Sequence, residues 1–125
     1  MNANAALKSY TNVHYEGQVA GANPQRLIQM LYEGVLERIA QAKGAMQQKN
    51  FELKGKKVSD AINIVMALRD SLNFEQGGEI AYNLDALYDY IARTLWQAHA
   101  KNNLKQLDEV SGLIDEVYSA WKQLA

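Results

Sequence analysis

Pro24 is the only proline in this chain of 125 residues. Nothing after it locks φ or removes an amide hydrogen from a helix interior. Asn23, just before it, is a favoured N-cap, and proline at the first helical position gives up no N–H that the helix needs. From this pair almost to the end, apolar residues fall at helical spacing, so the chain is read on a wheel of 100° per residue.

The first helix opens at Asn23-Pro24 and runs to about Gln48, with Ile28, Leu31, Val35, Ile39, Ala42 and Met46 on one stripe. A second pattern covers about Phe51 to Leu72, where Val58, Ile62, Val65, Met66 and Leu72 share a face. Asn73 ends it, and residues 74–78, with Gly77-Gly78, read as a loop. The third helix spans about Glu79 to Lys101 and stacks Ile80, Leu84, Leu87, Tyr88, Ile91, Leu95 and Ala98. Asn102-Asn103 breaks it and caps a fourth, which carries Leu107, Val110, Ile114, Val117, Tyr118, Trp121 and Leu124. Connections this short make consecutive helices antiparallel neighbours. The fold class is therefore all-α: an antiparallel up-down-up-down four-helix bundle over residues 23–125. Residues 1–22 differ. Leu7, Tyr10 and Val13 are apolar at helical spacing, but Gly17, Gly21 and several Asn and Ala dilute them. They read as a mobile N-terminal segment, a short helical cap that docks reversibly on the bundle.

Small bundles often hold metals or haem, and the residues argue against both. There is no Cys, which removes disulfides, thiolate metal sites and thiol chemistry. Di-iron bundles need Glu-x-x-His on two helices, and that motif does not occur. His14 and His99 lie far apart in sequence, and a lone His at a helix edge is more often structural or solvated than a ligand. Gly77-Gly78 before a helix lacks the Lys or Ser/Thr of a phosphate loop, and Glu79 would repel an anion. Asp85, Asp89 and Glu79 have no nucleophile or base beside them and read as surface carboxylates. Lys54, Lys56 and Lys57, close to Glu52 and Asp60, read as a solvated face. Thirteen Lys+Arg against fourteen Asp+Glu leave a net charge of −1, unlike the basic surplus of a nucleic-acid binder. No apolar run is long enough for a membrane span, and the N-terminus does not read as a secretory signal. The expectation is a cytoplasmic, non-enzymatic protein with no cofactor, metal, nucleic acid or membrane span.

A binding protein should carry apolar residues beyond those its core needs. Beside its main stripe the first helix has a second strip with Leu27, Met30 and Gly34, and the second helix extends its arc through Ala61, Ile64 and Leu68. These strips read as partner surface, to be covered by the N-terminal segment or by a partner's amphipathic helix. Gly34 costs helix stability unless another element approaches closely. On the third helix, Tyr82 and Trp96 face away from the core stripe and resemble interface anchors. Arg69 falls inside an apolar arc, so its head should snorkel or pair with a carboxylate.

The run Ala22-Asn23-Pro24-Gln25-Arg26-Leu27-Ile28-Gln29-Met30-Leu31-Tyr32-Glu33-Gly34 resembles the signature that opens the first bundle helix in FliS-type flagellin export chaperones. The stretch from Leu72 through Asn73-Phe74-Glu75-Gln76-Gly77-Gly78-Glu79 to Tyr90 resembles a second signature, and Tyr10 stands where that family carries an N-terminal aromatic. Glu33 departs from the Asp more usual there. The resemblance implies a chaperone that needs no nucleotide, binds the disordered C-terminal segment of flagellin and prevents its early polymerisation. It also implies delivery to the flagellar export apparatus, and an anti-sigma factor is a further partner on this view. By position Leu7 and Tyr10 would cover the site in the free protein. The expected partner-binding set is thus Leu7, Tyr10, Leu27, Met30, Gly34, Ala61, Ile64, Leu68, Tyr82 and Trp96. A generic helical adaptor and a haem or metal bundle are the alternatives.

Overall fold

The computed structural model describes residues 23–124, and the expected N-terminal cap of residues 1–22, Leu7 and Tyr10 included, lies outside them. Four helices follow in order: α1 (Pro24–Gln47), α2 (Phe51–Asp70), α3 (Phe74–Lys101) and α4 (Leu104–Leu124). Each begins on an asparagine whose side chain accepts from the amide three residues on. Asn23 Oδ1 accepts from Arg26 at 2.8 Å and Asn50 from Leu53 at 3.2 Å. Asn73 accepts from Gln76 at 3.0 Å and Asn103 from Gln106 at 3.2 Å. Such caps satisfy amides that no helical carbonyl can reach.

The third helix starts earlier than its periodicity implies. The Asn73 cap holds a helical turn over Phe74–Gly77, and the break falls at Gly78 alone, with φ 51° and ψ −129°. Gly tolerates that backbone where a side chain would be strained. Asn102 closes the same helix in the left-handed region, as C-terminal asparagines do.

α1 packs on α2 and α4, α2 on α3, and α3 on α4, so the helices close a ring. With two or three residues in each connection, ring neighbours must run antiparallel. The core is a column of fully buried side chains: Leu31, Val35 and Ile39 from α1, Val58 and Val65 from α2, Tyr88, Ile91 and Leu95 from α3, Leu107 and Ile114 from α4.

That ring corrects the reading of the apolar strips. Met30, Gly34, Ala61, Ile64 and Leu68 are buried, and the last three belong to the core cluster. A helix with two packed neighbours must bury a broader arc than one facing a single neighbour, so a wide strip is not by itself spare surface. Lys54 is a second correction. It is 3% exposed, not solvated, and its ammonium donates to the His99 carbonyl at 2.9 Å and to Asn102 Oδ1 at 2.7 Å. A cation from α2 thereby caps the negative end of α3. Two residues placed on core stripes are exposed, Ile80 at 71% and Leu124 at 88%.

Arg69 does pair with carboxylates. Its guanidinium grips both oxygens of Asp85, at 2.6 and 3.3 Å, and reaches Asp89 at 3.3 Å. Asp89 in turn accepts from Arg93 at 3.0 Å. The Arg69 hydrogen bonds hold the Asp85 carboxyl below its ordinary range, and they raise the arginine in return. Asp85 and Asp89, expected to be free surface groups, are the α3 half of a clamp onto α2.

Candidate functional site

At one end of the bundle α1 and α3 begin while α2 and α4 finish. The four ends do not meet, and a cleft of about 400 Å³ opens between them. Ile28 and Tyr32 line it from α1, Leu68 from α2, Leu84 and Tyr88 from α3, and Trp121 from α4. Leu72 extends it past the end of α2, and Ile80 forms part of its rim. Ile80 holds the angular position of the core stripe, but the cleft opens beneath it, which explains its exposure.

The deepest groups are two tyrosines. Tyr32 and Tyr88 are 3% and 1% exposed, and their hydroxyl oxygens lie 2.8 Å apart. Burial pushes both phenols above the ordinary value of 10.0, Tyr88 far above it, because neither can ionise away from water. Tyr32 stacks on Tyr118 with ring centres 5.3 Å apart, and its ring centre is 5.8 Å from that of Trp121. The Tyr118 hydroxyl donates to Glu33 Oε2 at 3.0 Å; burial and that carboxylate raise its pKa. An aromatic wall is thus built from α1 and α4 against one side of the cleft.

An exposed apolar margin continues from the rim. Phe74 packs on Tyr82 at 4.7 Å, and Tyr82 is 63% exposed. Beyond the Arg69 clamp, Trp96 is 57% exposed and meets the His99 ring edge-on at 5.9 Å. His99 is held below its ordinary pKa by burial and then by the nearby Lys54. On the facing helix, a Cβ at Gly55 would lie 3.2 Å from His99 Cε1, so α2 and α3 approach closely there.

The expected site residues therefore divide. Leu27 is half-buried, Tyr82 and Trp96 stand exposed on α3, and Leu68 lines the cleft from beneath. Met30, Gly34, Ala61 and Ile64 are buried away from solvent. Sequence reasoning missed most of the cleft, because Ile28, Tyr32, Leu84, Tyr88 and Trp121 sit on stripes that also serve the core. One signal was available: in an up-down bundle the starts of α1 and α3 and the ends of α2 and α4 share one end, and these residues gather there.

Among the described residues no group of three His, Cys, Asp or Glu could hold a metal ion, and no helix is long and apolar enough to cross a membrane. What the cleft offers is shape and apolar surface for side chains.

A family model described as flagellar protein FliS matches residues 6–125. The flagellar secretion chaperone FliSB of Pseudomonas aeruginosa is 49% identical over 97% of this chain and 96% of its own length. Flagellar secretion chaperone FliS of Vibrio cholerae is 42% identical over 95% of this chain and 88% of its own. For the Salmonella typhimurium protein of the same name the figures are 39%, 97% and 90%. A full-length family match, three relatives aligned almost end to end and a four-helix bundle lead to one conclusion: this chain belongs to the FliS family of flagellar proteins.

Proposed function

We propose that this chain is a cytoplasmic flagellar secretion chaperone, not an enzyme, which binds the C-terminal segment of flagellin and keeps it from polymerising before export. The observation that carries this reading is the apolar cleft with its exposed margin of Ile80, Phe74, Tyr82 and Trp96, in a chain whose relatives are named flagellar secretion chaperones. Segments that must pack as helices in a filament have apolar faces that associate early, and a groove of this kind holds such faces. A disordered segment that becomes helical as it binds covers a large area at the expense of ordering entropy. Leu27, Tyr82, Trp96 and the cleft provide the contact surface; Met30, Gly34, Ala61 and Ile64 support it from below. Residues 1–22, with Leu7 and Tyr10, cover part of the site at rest and leave when flagellin arrives. The loaded chaperone then passes its cargo to the export apparatus, and an anti-sigma factor competes for the same face.

Calorimetric titration of the full chain with flagellin's C-terminal and N-terminal segments tests the reading. Saturable binding of the C-terminal segment alone, with a gain of helical circular dichroism beyond the sum of the parts, is the expected result. Equal affinity for both segments, or for neither, overturns it.

A further inference from the structure

Across Trp121 the cleft meets a second hollow, also of about 400 Å³, lined by Asn23, Gln25, Arg26, Gln29, Trp121 and Lys122. The two differ in chemistry. The first is apolar. The second is edged by two cations, with Arg26 reaching Glu33 at 3.7 Å and the Lys122 ammonium 4.3 Å above the Tyr118 ring. Among the described residues no acidic side chain lines either hollow, although acidic groups outnumber basic ones in the chain.

The floor of the cleft also carries an unused donor. Two hydroxyls have two hydrogens, and the single bond between Tyr32 and Tyr88 uses one. No further bond from either hydroxyl occurs among the described residues. Both tyrosines are more than nine-tenths buried and line the cleft, so the second hydrogen is left for a guest. The first turn of α3, at Gln76 and Gly77, borders the same space with its positive end.

An apolar slot that joins a cationic hollow, with donors at depth, is the complement of one object: the carboxyl end of a helix. Such an end carries an apolar side chain, unpaired carbonyls in its last turn, the negative pole of the dipole and a terminal carboxylate. We infer that the two joined hollows bind the carboxyl terminus of the partner helix, with a final apolar side chain in the cleft and the carboxylate against Arg26 and Lys122. This rests on the reading that flagellin's C-terminal segment is the partner, and it adds where the last residues of that segment land and hence which way it runs.

Fluorescence anisotropy with the full chain tests it, using the flagellin C-terminal segment as the free acid, as the C-terminal amide, and extended by Gly-Ser-Gly-Ser. The amide should bind roughly three- to fivefold more weakly than the acid at low salt, as expected for losing a half-exposed ion pair. The extended peptide should lose at least as much, and 0.5 M NaCl should narrow the gap. The double variant Arg26→Gln, Lys122→Gln, at exposed positions, should bind acid and amide alike. Equal affinities of all three peptides for the unaltered chain overturn the subsite and leave the flagellin reading standing. An acid preference that survives in the double variant puts the carboxylate elsewhere and also overturns it. An acid preference that appears only after residues 1–22 are deleted makes the chain's own N-terminal segment the occupant, and overturns it too. Failure of all three peptides to bind refutes the flagellin reading itself.

Discussion

The hydroxyl oxygens of Tyr32 and Tyr88 stand 2.8 Å apart beneath the cleft, so one hydrogen bond joins α1 to α3 across the diagonal of the ring. Tyr32→Phe or Tyr88→Phe would leave a buried hydroxyl alone, at about 1–2 kcal/mol in urea unfolding. The double Phe variant should lose less than the sum, because no orphan remains. Additive losses would show that the two hydroxyls do not act as a pair.

The same tyrosines set an alkaline limit. Their folded-state pKa values lie above the ordinary 10.0, so the unfolded chain releases those protons first as pH rises. Stability is fully present below pH 10 and should fall above it. The double Phe variant should show a shallower fall between pH 9.5 and 11 in denaturant midpoints.

Acid acts at the other end of the bundle through His99, whose pKa is lowered by burial and by Lys54. Unfolded histidine takes up a proton near pH 6.5 while the folded one stays neutral, so stability should decline as pH falls below that value. His99→Gln should flatten the change in urea midpoint between pH 7.5 and pH 5.5. An unchanged slope would assign the acid response to other groups.

Three glycines should respond differently to alanine. At Gly112, inside α4, a Cβ meets nothing within 4 Å, so Gly112→Ala should stabilise by about 1 kcal/mol through helix propensity. Gly55→Ala should gain less, since its Cβ would press on His99 at 3.2 Å. Gly78→Ala, at φ 51°, should cost about 1–3 kcal/mol. Thermal midpoints of the three variants give the order directly.

Binding and folding should separate by residue. Trp96→Ala and Tyr82→Ala, at exposed positions, should weaken flagellin-segment binding while the melting temperature barely moves. Ile64→Ala, in the core, should lower stability by about 2–4 kcal/mol. Parallel calorimetry and urea melts would reveal a failure if Trp96→Ala left affinity intact.

Much of this architecture was legible in local chemistry. The asparagines at 23, 50, 73 and 103 punctuate the chain, and each is found at a helix start. Tyr82 and Trp96 could be placed on the outer face because spacing within one helix suffices for that. What stayed hidden depended on partners distant in sequence. Lys54 looked solvated because its acceptors, the His99 carbonyl and Asn102, lie more than forty residues away. The strips at Met30, Ile64 and Leu68 looked spare because a wheel shows the width of an arc but not how many neighbours press on it. The cleft was missed for a related reason: a residue at a helix end keeps the core angle after the packing that would cover it has stopped, as Ile80 does.

The asparagine caps carry a consequence for how the protein fails. An amide side chain has no proton to gain or lose, so all four helix starts are indifferent to acidity. Losses on acidification fall instead on contacts between helices, such as the grip of Arg69 on Asp85 and the close seat of His99 beside Gly55. The acidified chain should thus come apart as a sliding of intact rods, swollen and still helical, before any rod unwinds.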